Sequence, residues 1–90
     1  MITVNGEVLE AFGEFCIKRG FNKEATPPKA VWEVVRLRRP GEVPIMVYKT
    51  TQTDEFRIVG DEATLDAFEH FWKAEGDKWR ARKLYGKSSE

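Results

Sequence analysis

The sequence predicts a two-layer α+β fold of helix, three-stranded antiparallel meander and helix, with both helices on one sheet face and a helical C-terminal extension. Three observations predict it. Apolar residues recur at helical spacing from Val8 to Cys16 and stop before Gly20. Three short runs of alternating pattern, separated by tight-turn sequences, fill residues 29–60. Helical spacing then returns from Leu65 to Trp79. The turns are too short for parallel pairing, which needs a crossover of about a dozen residues or more. Each helix has one apolar stripe and the sheet one clearly apolar face, so stacking both helices on that face buries all three.

Asn5 is a suitable N-cap, and Glu7 in the first turn suits the helix dipole. Val8, Leu9, Phe12, Phe15 and Cys16 then form one face of a helix over about 6–19. Glu7, Glu10, Glu14 and Lys18 fall mostly on the other side. Gly20 is placed for a left-handed C-terminal cap, with Phe21 folding back on the last turn. Gly13 costs this helix about 1 kcal/mol relative to alanine, and close approach of a neighbour would account for it. Pro27 and Pro28 end any helix and lead into extended chain.

Residues 30–38 read as the first strand. Trp32, Val34, Arg36 and Arg38 share one face; Val31, Glu33, Val35 and Leu37 share the other. Arg39-Pro40-Gly41-Glu42 has the residue pattern of a type II turn. The second strand spans about 43–50, with Ile45 and Val47 opposed to Met46 and Tyr48. The third spans about 55–59, with Phe56 and Ile58 opposed to Arg57 and Val59. Val35, Leu37, Ile45, Val47, Phe56 and Ile58 are the expected core face. Asp61 is the N-cap of the second helix, which runs from Glu62 to at least Ala74. Trp79 lies one heptad beyond Trp72, so the same stripe continues past Gly76, either in one helix or in a second short one.

Ninety residues make one domain. Residues 1–75 read as the α+β unit, and residues 76–90 as a basic tail, helical or partly disordered. Fifteen basic residues balance fifteen acidic ones, which argues against a strongly electrostatic nucleic-acid binder. The balance is uneven along the chain. From Lys73 onward there are six basic residues against Glu75, Asp77 and Glu90, leaving +3 there and −3 before it. Cys16 is the only cysteine, which fits a reducing compartment. No apolar run is long enough to span a membrane, and the first residues lack the pattern of a secretory signal. The chain reads as cytoplasmic, without membrane contact.

A helix ending in Cys-Ile-Lys-Arg-Gly-Phe and followed by a three-stranded meander resembles the double-stranded-RNA-binding domain. The likeness is carried by Val8–Phe21 with Trp32–Val35, and the element order extends it to Ala74. The resemblance implies that family's topology. Its RNA contacts do not carry over. The family has a lysine cluster at the start of the second helix, where this chain has Gly60-Asp61-Glu62-Ala63-Thr64, whose carboxylates repel phosphate. The family's first turn carries a histidine, and Arg39–Glu42 does not.

Candidate chemistry is sparse. His70 has Asp66 one turn before it but no nucleophile nearby. It reads as a surface histidine. Cys16 lies on the apolar helix face and reads as a small buried hydrophobe. The helix carboxylates read as solvated. No catalytic residues, metal ligands or cofactors are expected. The opposite sheet face is richer. Trp32, Arg36, Arg38, Met46, Tyr48 and Arg57 would stand together if the helices cover the other side, and these residue types are enriched at interface hot spots. They also suit a platform for single-stranded nucleic acid, or simply a solvated sheet face. Lys78, Trp79, Arg80, Arg82 and Lys83 of the tail form a second candidate contact. The expectation is a small non-catalytic interaction domain that binds a protein partner or itself. Phage and mobile-element accessory proteins often have this character. The alternative is a nucleic-acid-binding module using the arginine-rich face and the basic tail.

Overall fold

The computed structural model describes residues 1–24, 33–49 and 54–88, with side chains through residue 84. The element order is β1 (Ile2–Val4), α1 (Gly6–Lys18), β2 (Asn22–Lys23), β3 (Glu33–Arg38), β4 (Ile45–Lys49), β5 (Phe56–Val59) and α2 (Glu62–Ser88). The strands form one antiparallel sheet in the order β1-β5-β4-β3-β2. The fold is α+β, with the β3-β4-β5 meander at its centre.

The sheet has five strands where the sequence suggests three. β1 and β2 are the additions, one at each edge, so the strand count departs from that of the double-stranded-RNA-binding topology. Both are short: three residues and two. An alternating pattern needs at least four residues to register, and Asn22-Lys23 has no apolar residue at all.

Both helices are capped as their sequences imply. The Asn5 side chain accepts from the Val8 N–H at 2.9 Å, and Asp61 Oδ2 accepts from the Thr64 N–H at 3.2 Å. At the end of α1, Gly20 has φ +94°. The Phe21 N–H bonds the Cys16 carbonyl and the Gly20 N–H that of Ile17, which is a Schellman cap. Phe21 is consequently buried with Cys16. In the β3–β4 turn, Gly41 has φ +79° and the Glu42 N–H bonds the Arg39 carbonyl, as a type II turn requires.

The core joins both helices to one sheet face. Ala11, Phe12, Phe15 and Cys16 of α1 and Leu65, Phe68 and Trp79 of α2 pack with Leu37, Ile45, Val47 and Ile58. Val35 and Phe56 flank this cluster, so the expected core face is the observed one. Edge-to-face contacts of Phe68 with Phe12 and Phe15, at 5.0 and 5.4 Å between centroids, join the two helices.

The second helix runs unbroken through Gly76. At 27 residues it is ~40 Å long, matching the longest dimension of the molecule, 39 Å. A Cβ on Gly76 would sit 3.2–3.4 Å from the Trp72 ring. The glycine therefore lets that indole lie back along its own helix, edge-on to Trp79 at 5.6 Å. Gly13 has a different setting from the one expected: a Cβ there would meet nothing within 4 Å. It borders a groove of about 480 Å³ between α1 and β3 rather than a packed neighbour.

Candidate functional site

The sheet register determines what the face turned away from the helices presents. Arg36 pairs with Met46 and Met46 with Val59, giving one row across three strands. Tyr48 pairs with Arg57 and Arg57 with Thr3, giving a second row that reaches the β1 edge. Arg38 stands opposite Asn22 at the other edge. Tyr48 Oη donates to Met46 Sδ at 3.3 Å, tying the rows together. Arg36, Arg38, Met46, Tyr48 and Arg57 thus share one face, as the alternation implies. Trp32, the sixth residue expected there, lies outside the described residues.

Glu33 and Val34 are a correction. Strict alternation puts Glu33 with Val35 on the core side and Val34 outside. The register shifts between Glu33 and Val35, so Glu33 pairs with Tyr48 while Val35 pairs with Val47. One extra residue in β3 reverses the alternation upstream of it. Glu33 moves to the outer face, and Val34 borders the groove beside α1.

The displaced carboxylate meets Arg36 in a two-point pair, 2.7 Å to both Nε and Nη2. The Glu33 side chain is only 1 % exposed and Arg36 is half-buried, so the buried carboxylate has a hydrogen-bonded cation, the condition under which it is tolerated. The hydrogen bond to Glu33 holds the Arg36 pKa above its ordinary value. Glu24 pairs with Arg38 and lies 3.9 Å from Arg36 Nε. Two of the three arginines on this face are therefore neutralised from within. Arg57 is exposed and has no ion pair among the described residues.

The tail residues have a different setting. Trp79 is a core residue, 4 % exposed, and its indole N–H donates to Glu14 at 3.1 Å. Arg80 bonds Glu7 at 2.8 Å and lies 3.5 Å from Asp77. Lys83 pairs with Glu14 and lies 3.5 Å from Glu10, and Lys78 lies 3.5 Å from Glu75. The carboxylates of α1 are thus opposed by the basic face of α2. The Lys83 hydrogen bond holds the Glu14 pKa below the usual carboxylate value, and the same contact raises that of Lys83. Arg82 has no ion pair among the described residues; it borders a notch of about 190 Å³ with Lys18 and Arg19.

The titratable groups considered for chemistry remain apart. Cys16 is fully buried, and burial pushes its thiol pKa up to about 12, where almost no thiolate forms at neutral pH. His70 is exposed, with Nδ1 3.0 Å from the Asp66 carbonyl oxygen of its own helix. Among the described residues no group of three or more His, Cys, Asp and Glu side chains is placed to hold a metal ion. Also among them, no helix is long and apolar enough to cross a membrane.

Alternation sets Val59 on the outer face with Arg57, though not among the expected contact residues; Thr3, Glu24 and Glu33 are not expected there. Thr3 and Glu24 depend on edge pairing, which leaves no mark in local pattern, and Glu33 depends on the bulge. No family model, curated protein or solved structure matches the chain.

Proposed function

We propose that this chain is a non-catalytic binding domain that contacts another protein through the outer face of its sheet. The observation that carries the reading is the half-buried strip of Met46, Tyr48 and Val59 beside exposed Arg57, which has no ion pair among the described residues, on a face that neither helix covers. An amphipathic aromatic and a sulfur side chain around one available guanidinium suit a hot spot. The pairs of Glu33 and Glu24 with Arg36 and Arg38 stiffen the rim of this strip and limit its charge.

The size of the face sets the kind of contact. Five strands about 4.8 Å apart, with a few residues each, present roughly 300 Å². A stable interface buries about 800 Å² per partner. The contact is therefore transient, or one part of a larger surface, and the face alone is too small for a stable homodimer. The nucleic-acid reading is weaker, because Arg36, Arg38, Arg80 and Lys83 already carry carboxylate partners.

A photo-reactive phenylalanine analogue at position 48, compared with one at exposed position 82, tests the proposal in cells that produce the protein. Discrete crosslinked species at 48 and not at 82, lost on Arg57→Glu, are the expected result. Equal labelling at both positions would refute it. Oligonucleotide binding with a steep salt dependence would favour the alternative instead.

A further inference from the structure

We propose that the outer edge of β1 and the groove between it and α2 accept an extended peptide as a sixth strand. The peptide carries apolar residues at alternate positions with an acidic residue between them. β1 ends the sheet order and pairs only with β5. Among the described residues no strand lies on its other side, so one row of backbone N–H and C=O groups faces outward. Proteins usually blunt such edges with lysine, proline or a bulge. The β2 edge has Lys23. Ile2-Thr3-Val4 has none of these devices and has high strand propensity.

The space beside this edge has the shape a strand requires. A groove of about 630 Å³ lies between β1 and α2, with Val8, Phe68 and Trp72 on its apolar wall and Glu69 and Lys73 at its rim. An added strand would lie about 4.8 Å beyond β1. Its side chains on the pleat of Ile2 and Val4, the core side, would enter the groove. The side chain between them would emerge beside Thr3 on the outer face. Arg57 is the next residue inward on that row, two strand spacings or about 10 Å from the new backbone. That distance is within the combined reach of an arginine and a glutamate. Arg57 lacks an ion pair among the described residues, and Glu69 and Lys73 offset each other, so the local demand is for one carboxylate.

A second copy fits this edge less well. Two three-residue strands pair over only ~10 Å, far below the ~800 Å² per partner of a stable dimer. The inference shares Arg57 with the sheet-face reading and otherwise rests on different residues, so the two can fail separately.

The test uses capped Thr-Val-Glu-Val-Thr, Thr-Val-Lys-Val-Thr and Thr-Pro-Glu-Pro-Thr peptides, followed by amide NMR shifts in the full chain. The acidic probe should shift residues 2–4 and 69–73. It should bind about two-fold tighter than the lysine probe, the low end of a cross-strand charge pair, because Arg57 lies one strand further in. The proline probe, which lacks the N–H donors of the two valine positions and fits a ladder poorly, should not bind. Arg57→Glu should reverse the charge preference. Glu69→Trp, at an exposed position, should block the groove while leaving the circular dichroism unchanged. Shifts confined to residues 46–48 would overturn the edge proposal and leave the sheet-face reading standing. Shifts at neither place at millimolar probe would overturn the edge proposal alone, since folded partners of the face are tested by crosslinking. Equal binding of the proline probe, or β1 shifts that depend on protein concentration without any peptide, would also overturn it.

Discussion

Trp79→Ala separates a helix that completes the core from one that merely extends beyond it. Trp79 is 4 % exposed, edge-on to Trp72, beneath Lys83 Nζ at 5.4 Å, and bonded to Glu14 through its N–H. Removing a buried tryptophan ring costs about 3–5 kcal/mol. Loss of the Trp72 contact accounts for about 0.5–1.5 kcal/mol of specific aromatic pairing within that range. Glu14 keeps Lys83, so its carboxylate is not orphaned. A chain of 90 residues has a total stability of roughly 5–13 kcal/mol, so the substitution removes a large fraction of it. The assay is urea unfolding followed at 222 nm. The midpoint should fall sharply while the slope stays near wild type. Trp79→Phe keeps a ring and loses the donor, and should cost about 1–2 kcal/mol. Arg82→Ala, at an exposed neighbouring position, should change stability by less than about 0.5 kcal/mol. A Trp79→Ala loss below about 1.5 kcal/mol would refute the reasoning, because no buried tryptophan in a shared core is that cheap to remove.

Four further outcomes follow from the same geometry. Gly13→Ala should stabilise by about 1 kcal/mol, since the added methyl meets open space on a helix. Gly60→Ala should destabilise, because its Cβ would come 2.9 Å from Ile45 Cγ1; matched urea midpoints compare the pair. Glu14 has a folded pKa below its ordinary 4.5, first through Lys83. Its contribution is complete above that value and is lost as pH falls through the folded pKa. The stability of Glu14→Gln should therefore fall less steeply than wild type as pH drops below about 4.5, and parallel profiles would contradict this. Cys16 should stay silent to a thiol reagent at neutral pH in the folded protein and react once urea unfolds it, because its thiol is buried and its pKa is about 12; a fast native reaction would contradict the burial.

Much of the fold is legible in the chain because local rules and burial agree along most of it. Asn5, Gly20, Gly41 and Asp61 act at the positions their chemistry implies. The residues expected to form the core face of the meander do so. What is not legible is what depends on partners distant in sequence. β1 and β2 are strands only because β5 and β3 offer them edges. The bulge that redirects Glu33 has one sign in the sequence: Arg36 three residues on, a spacing that in a regular strand would put the two on opposite faces. The tail shows the same limit. Glu7, Glu10 and Glu14 on one helix and Arg80 and Lys83 on the other are complementary stripes. Read separately, they resemble a solvated face and an anion-seeking arm. The charge asymmetry of the chain is in part an internal attachment between its two helices.

That attachment joins the first helix to the last third of the chain, so the two helices can dock only after α2 has been synthesised. Ile2 pairs with Ile58, the rings of Phe12 and Phe15 rest on Phe68, and Glu14 and Glu7 reach partners 65 and 73 residues later. The amino-terminal helix can meet Leu37, Ile45, Val47 and Ile58 earlier, but its contacts with α2 wait until the last third of the chain exists. At about 5–20 residues per second, that wait lasts several seconds. Through it the nascent helix carries exposed phenylalanines, the condition under which chains aggregate. Glu7, Glu10 and Glu14 give the waiting segment its negative charge, and later they hold the final helix in place. In the finished chain the same three carboxylates join the first helix to the last.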